Sequence, residues 1–398
     1  MKKGFYLWSL LVVMLTITAC SSDHKDDLPT KTGTFEINFT FGGTSVKTRA
    51  SSAIPETSWT NIKQIQFFLY DSNNKVVFSS IVSPTGGSAG TKTFTYTTIP
   101  VGEYTLVAVA NAKNDTDNVT TYTSSTEQLW TEGNVFNTLI TDLSIGHKPG
   151  SWSSAITNDA NAKGALAKLT PYTEPSEVFM GYATGVKINT TAAHKATVSL
   201  VREVSMMRVR IDQSIKEVAN VDFTDSKASV ILYRLPDQMG IGNEALGGVS
   251  ATSTETKALS VPGAFATTNA NNAYLDGNYT SWKDVIVFPN NGGRTNNANT
   301  TNVAADSRKY FIVLCGIAKS GHYYSGSKTP TTVGAPVFWH GQIKEVFTPN
   351  VIREVNLILK TGGSPTPPDK IVEYGGLEVT VNDPVKWSSN IVVSTIEM

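Results

Sequence analysis

Between residues 34 and 41 apolar and polar positions alternate without a break. Phe35, Ile37, Phe39 and Phe41 fall on one side, and Glu36, Asn38 and Thr40 on the other, the two-residue period of a half-buried strand. Shortly after this strand comes the basic step Lys47-Thr48-Arg49, followed by Ala50, in a stretch rich in Gly, Ser and Thr. A good core strand is thus followed at once by a step that a protease could reach.

The same period recurs downstream. Strands are expected in IKQIQFFLYD (62 to 71), KVVFSS (75 to 80), KTFTYTTIPVGEYTLVAVAN (92 to 111) and SEVFMGYAT (176 to 184), with Pro100-Val101-Gly102 dividing the long run. Turn clusters such as Asp71-Ser72-Asn73-Asn74 separate them. A short helix is expected around Ser124 to Leu129. A second unit is expected to open with KATVSLVREVSMMRVRID (195 to 212) and to continue through ASVILYRL, DVIVFPNN, RKYFIVLCGIAKSGHYYSG and REVNLILK. Residues 361–370, TGGSPTPPDK, join a flexible Gly pair to a stiff proline segment and read as a linker.

Beyond the linker, Leu377, Val379 and Val381 alternate with polar residues, and Val385 and Trp387 start another such run. A segment this short cannot enclose a core. Its apolar stripe must dock either on its own domain or on a neighbouring molecule, because an open strand edge aggregates. The pattern leaves both readings open.

The start of the chain carries chemistry of its own. Lys2 and Lys3 precede an apolar run from Phe5 to Ile17, too short to span a bilayer comfortably and typical of a secretory signal over residues 1–19. The run ends in Leu15-Thr16-Ile17-Thr18-Ala19-Cys20, which resembles a bacterial lipobox, so Cys20 is expected to carry lipid. The competing reading is plain signal cleavage beside a chance cysteine. Several acyl chains, at about 0.8 kcal/mol per buried methylene, would hold such a precursor on a membrane.

Composition narrows the function classes. The 33 basic and 33 acidic residues cancel, and nothing calls for nucleic acid. Charged residues make up only 17% of the chain while Ser, Thr, Asn and Gly abound, which favours β-sandwiches with polar loops. Two cysteines, Cys20 and Cys315, cannot build a disulfide framework.

Taken in order, the lipobox, the strand with its Arg49-Ala50 step, YTLVAVANA, LVREVSMMRVRI, VIVFPNN, YFIVLCGIAKSGHYYSG, REVNLILKTGGSPTPPDK and the terminal LEVTVNDPVKW are similar to the fimbrillin family, the shaft subunits of type V pili. The resemblance implies an all-β fold with two tandem transthyretin-like β-sandwich domains, at 50–194 and 195–360, and a C-terminal donor-strand arm at 371–398. It implies residues 20–49 as lipid tether and removable propeptide. Signal peptidase II would release the lipidated chain to the outer membrane, and an Arg-specific protease would cut between Arg49 and Ala50. That cut would remove the strand bearing Phe35, Ile37, Phe39 and Phe41. A donor strand with Leu377, Val379, Val381, Val385 and Trp387 from another subunit would then refill the groove, giving a homopolymeric extracellular fimbrium for adhesion and biofilm formation. No cofactor is implied.

Other classes stay in view. An accessory, tip or anchor subunit would share most of these features. A glycan-binding surface lipoprotein could use Trp282, Tyr323, Tyr324, Phe338 and Trp339 for stacking, against the plainer reading of strand core. An enzyme has the least support: His24, His147, His194, His322 and His340 show no metal-ligand spacing, and Cys315 sits in an apolar strand as a buried structural thiol would.

Overall fold

The structure, a computed structural model, describes residues 31–41, 59, 62–84, 90–112, 121–122, 139–140, 143–233, 238–241, 257–266, 283–290, 310–345, 347–368, 374–375, 377–381 and 385–386. Strands β1 (Thr32–Phe41), β2 (Ile65–Tyr70), β3 (Val76–Val82), β4 (Lys92–Pro100) and β5 (Gly102–Ala110) come first. An excursion follows through β6 (Thr121–Tyr122), β7 (Ser144–Gly146), helices α1 (Ser154–Asn158) and α2 (Ala160–Leu166), and β8 (Thr170–Tyr172). The chain then returns through β9 (Phe179–Ile188) and β10 (His194–Arg202) to complete a sheet of order β3-β2-β5-β9-β10-β1-β4.

This sheet folds over on itself. β9 and β10 pair only at Met180–Val201 and Phe179–Arg202, so the layer β3-β2-β5-β9 parts from the layer β10-β1-β4 and faces it. Between them lies one core, to which Phe35, Ile37, Phe39, Val198 and Leu200 contribute from one side and Phe67, Leu69, Leu106 and Ala108 from the other. β2 is buried along its whole length, which is why Phe67–Tyr70 reads as a solid apolar run rather than an alternation. Its second face, Phe68 and Tyr70, joins Val107, Val109, Met206, Phe288 and Ile352 in a separate cluster. That cluster binds the first sandwich to the second.

The second sandwich is built from β11 (Ser205–Asp212), β12 (Val221–Asp222), β13 (Ser229–Tyr233), β14 (Gln238–Gly240), β15 (Lys257–Pro262), β16 (Lys283–Val287), β17 (Tyr310–Ala318), β18 (Pro336–Ile343), β19 (Val351–Leu359), β20 (Tyr374–Gly375), β21 (Leu377–Val381) and β22 (Val385–Lys386). β14 instead pairs with β7 in a small sheet with β6. A sheet of order β16-β11-β19-β21, with β22 also on β19, packs against one of order β20-β18-β17-β13-β15-β8. Met207, Val209, Ile211, Val355 and Leu357 meet Val230, Leu232, Ile312, Leu314 and Trp339 across this core. The fold is therefore all-β, in two sandwich units. Among the described residues no helix is long and apolar enough to cross a membrane.

Two details differ from the sequence reading. The run 195–212 does not open the second unit as one strand: β10 still belongs to the first sheet, and the crossing comes at Glu203-Val204. No Gly or Pro marks that crossing, so the pattern ran straight through it. Residues 154–172 fold with the second unit although they precede the first unit's last strands. Ile156, Ala162 and Leu166 cover Ile231, Val313, Cys315 and Phe338 on its outer face, and β8 pairs with β15. Asp159 starts α2 by accepting hydrogen bonds from the backbone N–H groups of Asn161 (3.0 Å) and Ala162 (2.9 Å). The helix expected at Ser124–Leu129 lies outside the described residues.

Candidate functional site

β1 lies inside its sheet. It runs parallel to β10, from Phe35 opposite His194 to Phe41 opposite Leu200, and antiparallel to β4, from Thr32 opposite Pro100 to Phe39 opposite Lys92. Alternation then places Phe35, Ile37 and Phe39 in the core, each fully buried. The ring of Phe39 packs against Phe67 and Phe94 at 6.3 and 6.0 Å, and that of Phe35 stacks on His194 at 6.2 Å. On the solvent side Glu36 forms an ion pair with Lys195 at 3.0 Å, and Asn38 accepts from the Thr93 hydroxyl at 2.6 Å.

Gly33 sets the entry to this slot. A Cβ there would stand 2.1 Å from the carbonyl oxygen of Asn189, so only glycine lets the backbone pass. Removing the strand would expose the pockets of two phenylalanines and an isoleucine, roughly 5–9 kcal/mol of burial before chain entropy is counted. It would also leave two unpaired strand edges, a parallel one on β10 and an antiparallel one on β4.

The terminal segment sits elsewhere, on its own domain. β21 pairs antiparallel with β19, Leu359 opposite Leu377 through to Val355 opposite Val381, and β22 pairs Val385 and Lys386 with Ile352 and Val351. Leu377 is buried, whereas Val379 and Val381 are only half-buried at the sheet edge. Glu378 reaches Lys360 at 2.9 Å. Among the described side chains the segment thus docks more shallowly than β1 does: of Leu377, Val379 and Val381 only the first is fully buried, whereas Phe35, Ile37 and Phe39 all are.

The remaining sequence candidates fall as follows. Phe338 and Trp339 are core residues, and the indole N–H of Trp339 donates to the Thr361 carbonyl at 2.8 Å. Tyr324 is half-buried, with its hydroxyl donating to Pro336, and Tyr323 is exposed. Tyr324 packs against the core cluster that holds Trp339. His147 lies 3.0 Å from the Thr173 carbonyl, and His322 is held between Thr331 and Gly362, both at 2.9 Å. Burial lowers the pKa of His322 and of His340. Among the described residues no three His, Cys, Asp or Glu gather into a metal site. Burial pushes the Cys315 thiol far above the range in which a thiolate forms. Cys20, His24, Arg49, Ala50, Trp282 and Trp387 lie outside the described residues, as does the side chain of Phe41.

Sequence reasoning missed the far side of the groove, where Lys195, His194, Thr93 and Asn189 receive β1. It also missed the joint between the units. There the fully buried Arg202 pairs with Glu177, bonds Asn350 at 3.0 Å and stacks over Phe179 at 4.9 Å. A buried arginine in an apolar strand run signals such a joint once its acidic partner is known.

Residues 28–252, more than half of the chain, match the family model described as fimbrillin-A associated anchor proteins Mfa1 and Mfa2. The chain belongs to this family. It is a fimbrial, adhesin-type protein, and the family is structural rather than enzymatic. The match takes in β1 and the whole first sandwich. A search of curated proteins gives no match. Among solved structures the chain is similar to a fimbrilin from Porphyromonas gingivalis, with 12% identity, a TM-score of 0.41, and 90% of this chain and 98% of that one covered. It is similar to the fimbrial anchor protein Mfa2 of the same organism, with 10% identity, a TM-score of 0.42, and 88% and 98% covered. A protein from Bacteroides eggerthii described as a cell adhesion protein matches with 15% identity, a TM-score of 0.47, and 90% and 97% covered.

Proposed function

We propose that this chain is a fimbrial subunit made as a lipidated precursor and switched on by loss of β1. Cys20 carries the lipid that holds the precursor at the outer membrane after signal peptidase II has acted. An Arg-specific protease then cuts between Arg49 and Ala50, and β1 leaves with the anchor. The vacated groove takes a C-terminal arm from another subunit by strand addition. Donor arm and acceptor groove are different surfaces, so the contact is heterologous and repeats into a filament.

The observation that carries this reading is the position of β1. It precedes the Arg49-Ala50 step in the sequence, yet it is an interior strand whose described core side chains Phe35, Ile37 and Phe39 are fully buried. While it stays, it blocks joining; once removed, its slot must be refilled. The Arg49→Ala precursor should remain monomeric under conditions in which the wild type, treated with an Arg-specific protease, forms filaments. Equal assembly by both proteins would overturn the proposal.

A second reading is favoured by the family itself, whose description names anchor proteins. In that role the chain would keep its lipid and end the filament at the membrane rather than repeat along it. Subunits spread along the shaft, free of acyl chains, support the first role; lipidated subunits confined to the filament base support the second.

A further inference from the structure

The arm repeats the pattern of β1 position by position. β1 reads Gly33-Thr34-Phe35-Glu36-Ile37-Asn38-Phe39, and the arm reads Gly375-Gly376-Leu377-Glu378-Val379-Thr380-Val381. Glycine stands two residues before the first core side chain in both, glutamate falls between the first and second, and the three core positions are apolar. Each shared feature has a partner in the groove. The glycine position must clear the Asn189 carbonyl, the glutamate position faces Lys195, and the apolar positions fill the pockets between the layers.

Resting on the proposal of strand addition, we infer that residues 375–381 of a second copy enter the groove in the register and direction of β1, parallel to β10. Leu377 takes the place of Phe35, Val379 that of Ile37, and Val381 that of Phe39. Gly375 passes Asn189, and Glu378 exchanges Lys360 for Lys195.

The opposite direction fails at the entry. With Val381 in the first pocket, Asp383 would stand where only glycine fits, and Thr380 rather than Glu378 would face Lys195. A one-residue slip fails because it turns Glu378 and Thr380 into the core. Two-residue slips bring either Leu377 or Glu373 to the position of Gly33, and they leave a core pocket without an apolar side chain: Asp383 falls at the position of Phe39 in the first, Gly375 at that of Phe35 in the second.

The match is imperfect: outside the core Gly376 and Thr380 stand for Thr34 and Asn38, and in the core leucine and valines replace two phenylalanines and an isoleucine. The arm therefore fills the pockets less completely than β1, so an intact β1 wins the groove and its excision is required before exchange. Arm and propeptide strand compete for one slot, with the propeptide the better plug.

The full-length chain can test this without assembling anything. Residues 33–39 are replaced by the arm sequence 375–381, and a control carries the two-residue slip, sequence 377–383, at the same place. The in-frame graft should unfold cooperatively at a melting temperature about 5–15 °C below wild type, as large-to-small changes in a core produce. Restoring phenylalanine at positions 35 and 39 of the graft should recover most of that loss. The slipped graft should lose the cooperative transition of the first sandwich. An in-frame graft that fails to fold, or a slipped graft that melts as high as the in-frame one, would overturn the register. Either result leaves strand addition standing with another part of the arm as donor; failure of strand addition itself is read separately, from filaments of the cleaved protein.

Discussion

Phe39 and Phe67 stand 6.3 Å apart, ring centre to ring centre, across the core of the first sandwich. One belongs to the strand nearest the start of the fold and the other to a strand of the opposite layer, so the N-terminal strand is an integral part of the domain in this state. Replacing Phe39 with alanine should destabilise the full-length chain by about 3–5 kcal/mol. In a domain of this size that is a fall of roughly 6–20 °C in melting temperature, measurable by circular dichroism. A change within about 2 °C, the smallest shift expected even for 1 kcal/mol, would show that β1 is not part of the core.

A second test concerns the joint between the units. Glu174 accepts from the backbone N–H of Ile286 at 2.8 Å, and burial raises its pKa above the usual carboxylate value. The folded chain therefore binds this proton more tightly than the unfolded chain does. The stability that protonation contributes is fully present below about pH 4.5 and is lost as pH rises through the raised value. A glutamine in its place is neutral throughout and can still accept from Ile286. The Glu174→Gln protein should thus melt higher than wild type at about pH 7, with the difference vanishing near about pH 4. A constant difference at both pH values would contradict this reading of the joint.

Much of this was legible in the sequence, and what was not has physical causes. The alternation in 34–41 and 377–381 placed both strands, because each has one wet face and one apolar face. The turn at Asp71–Asn74 was legible for a similar local reason: the Asp71 carboxylate accepts from the backbone of Asn73 and Lys75, at 2.8 and 3.0 Å, and Asn74 takes a left-handed conformation. The crossing at Glu203-Val204 left no such local mark. Nor did the groove, since Lys195, Thr93 and Asn189 are ordinary polar residues until distant strands bring them to β1. The short helices at 154–166 had a readable cap in Asp159, but too few turns to show a period.

The terminal segment gives a third test, because it has a resting place as well as a proposed destination. Leu377 is buried against the second core, so deleting residues 377–398 from the full-length chain should cost about 1.5–3 kcal/mol, a fall of roughly 3–12 °C. The unfolding should remain cooperative, since Val379 and Val381 lie at a sheet edge and the inner strands are untouched. After cleavage by an Arg-specific protease the same protein should form no filaments, while still accepting an arm peptide. Loss of the second sandwich's transition altogether would make the segment a structural strand and argue against its use as a donor.

The central claim is that β1 is absent from the working subunit, and the mass of subunits recovered from native filaments tests it most directly. Intact-mass and N-terminal analysis should find a chain beginning at Ala50, without acyl chains and without residues 32–41. Subunits that retain β1 while incorporated along a filament would contradict the account, because the groove would already be full.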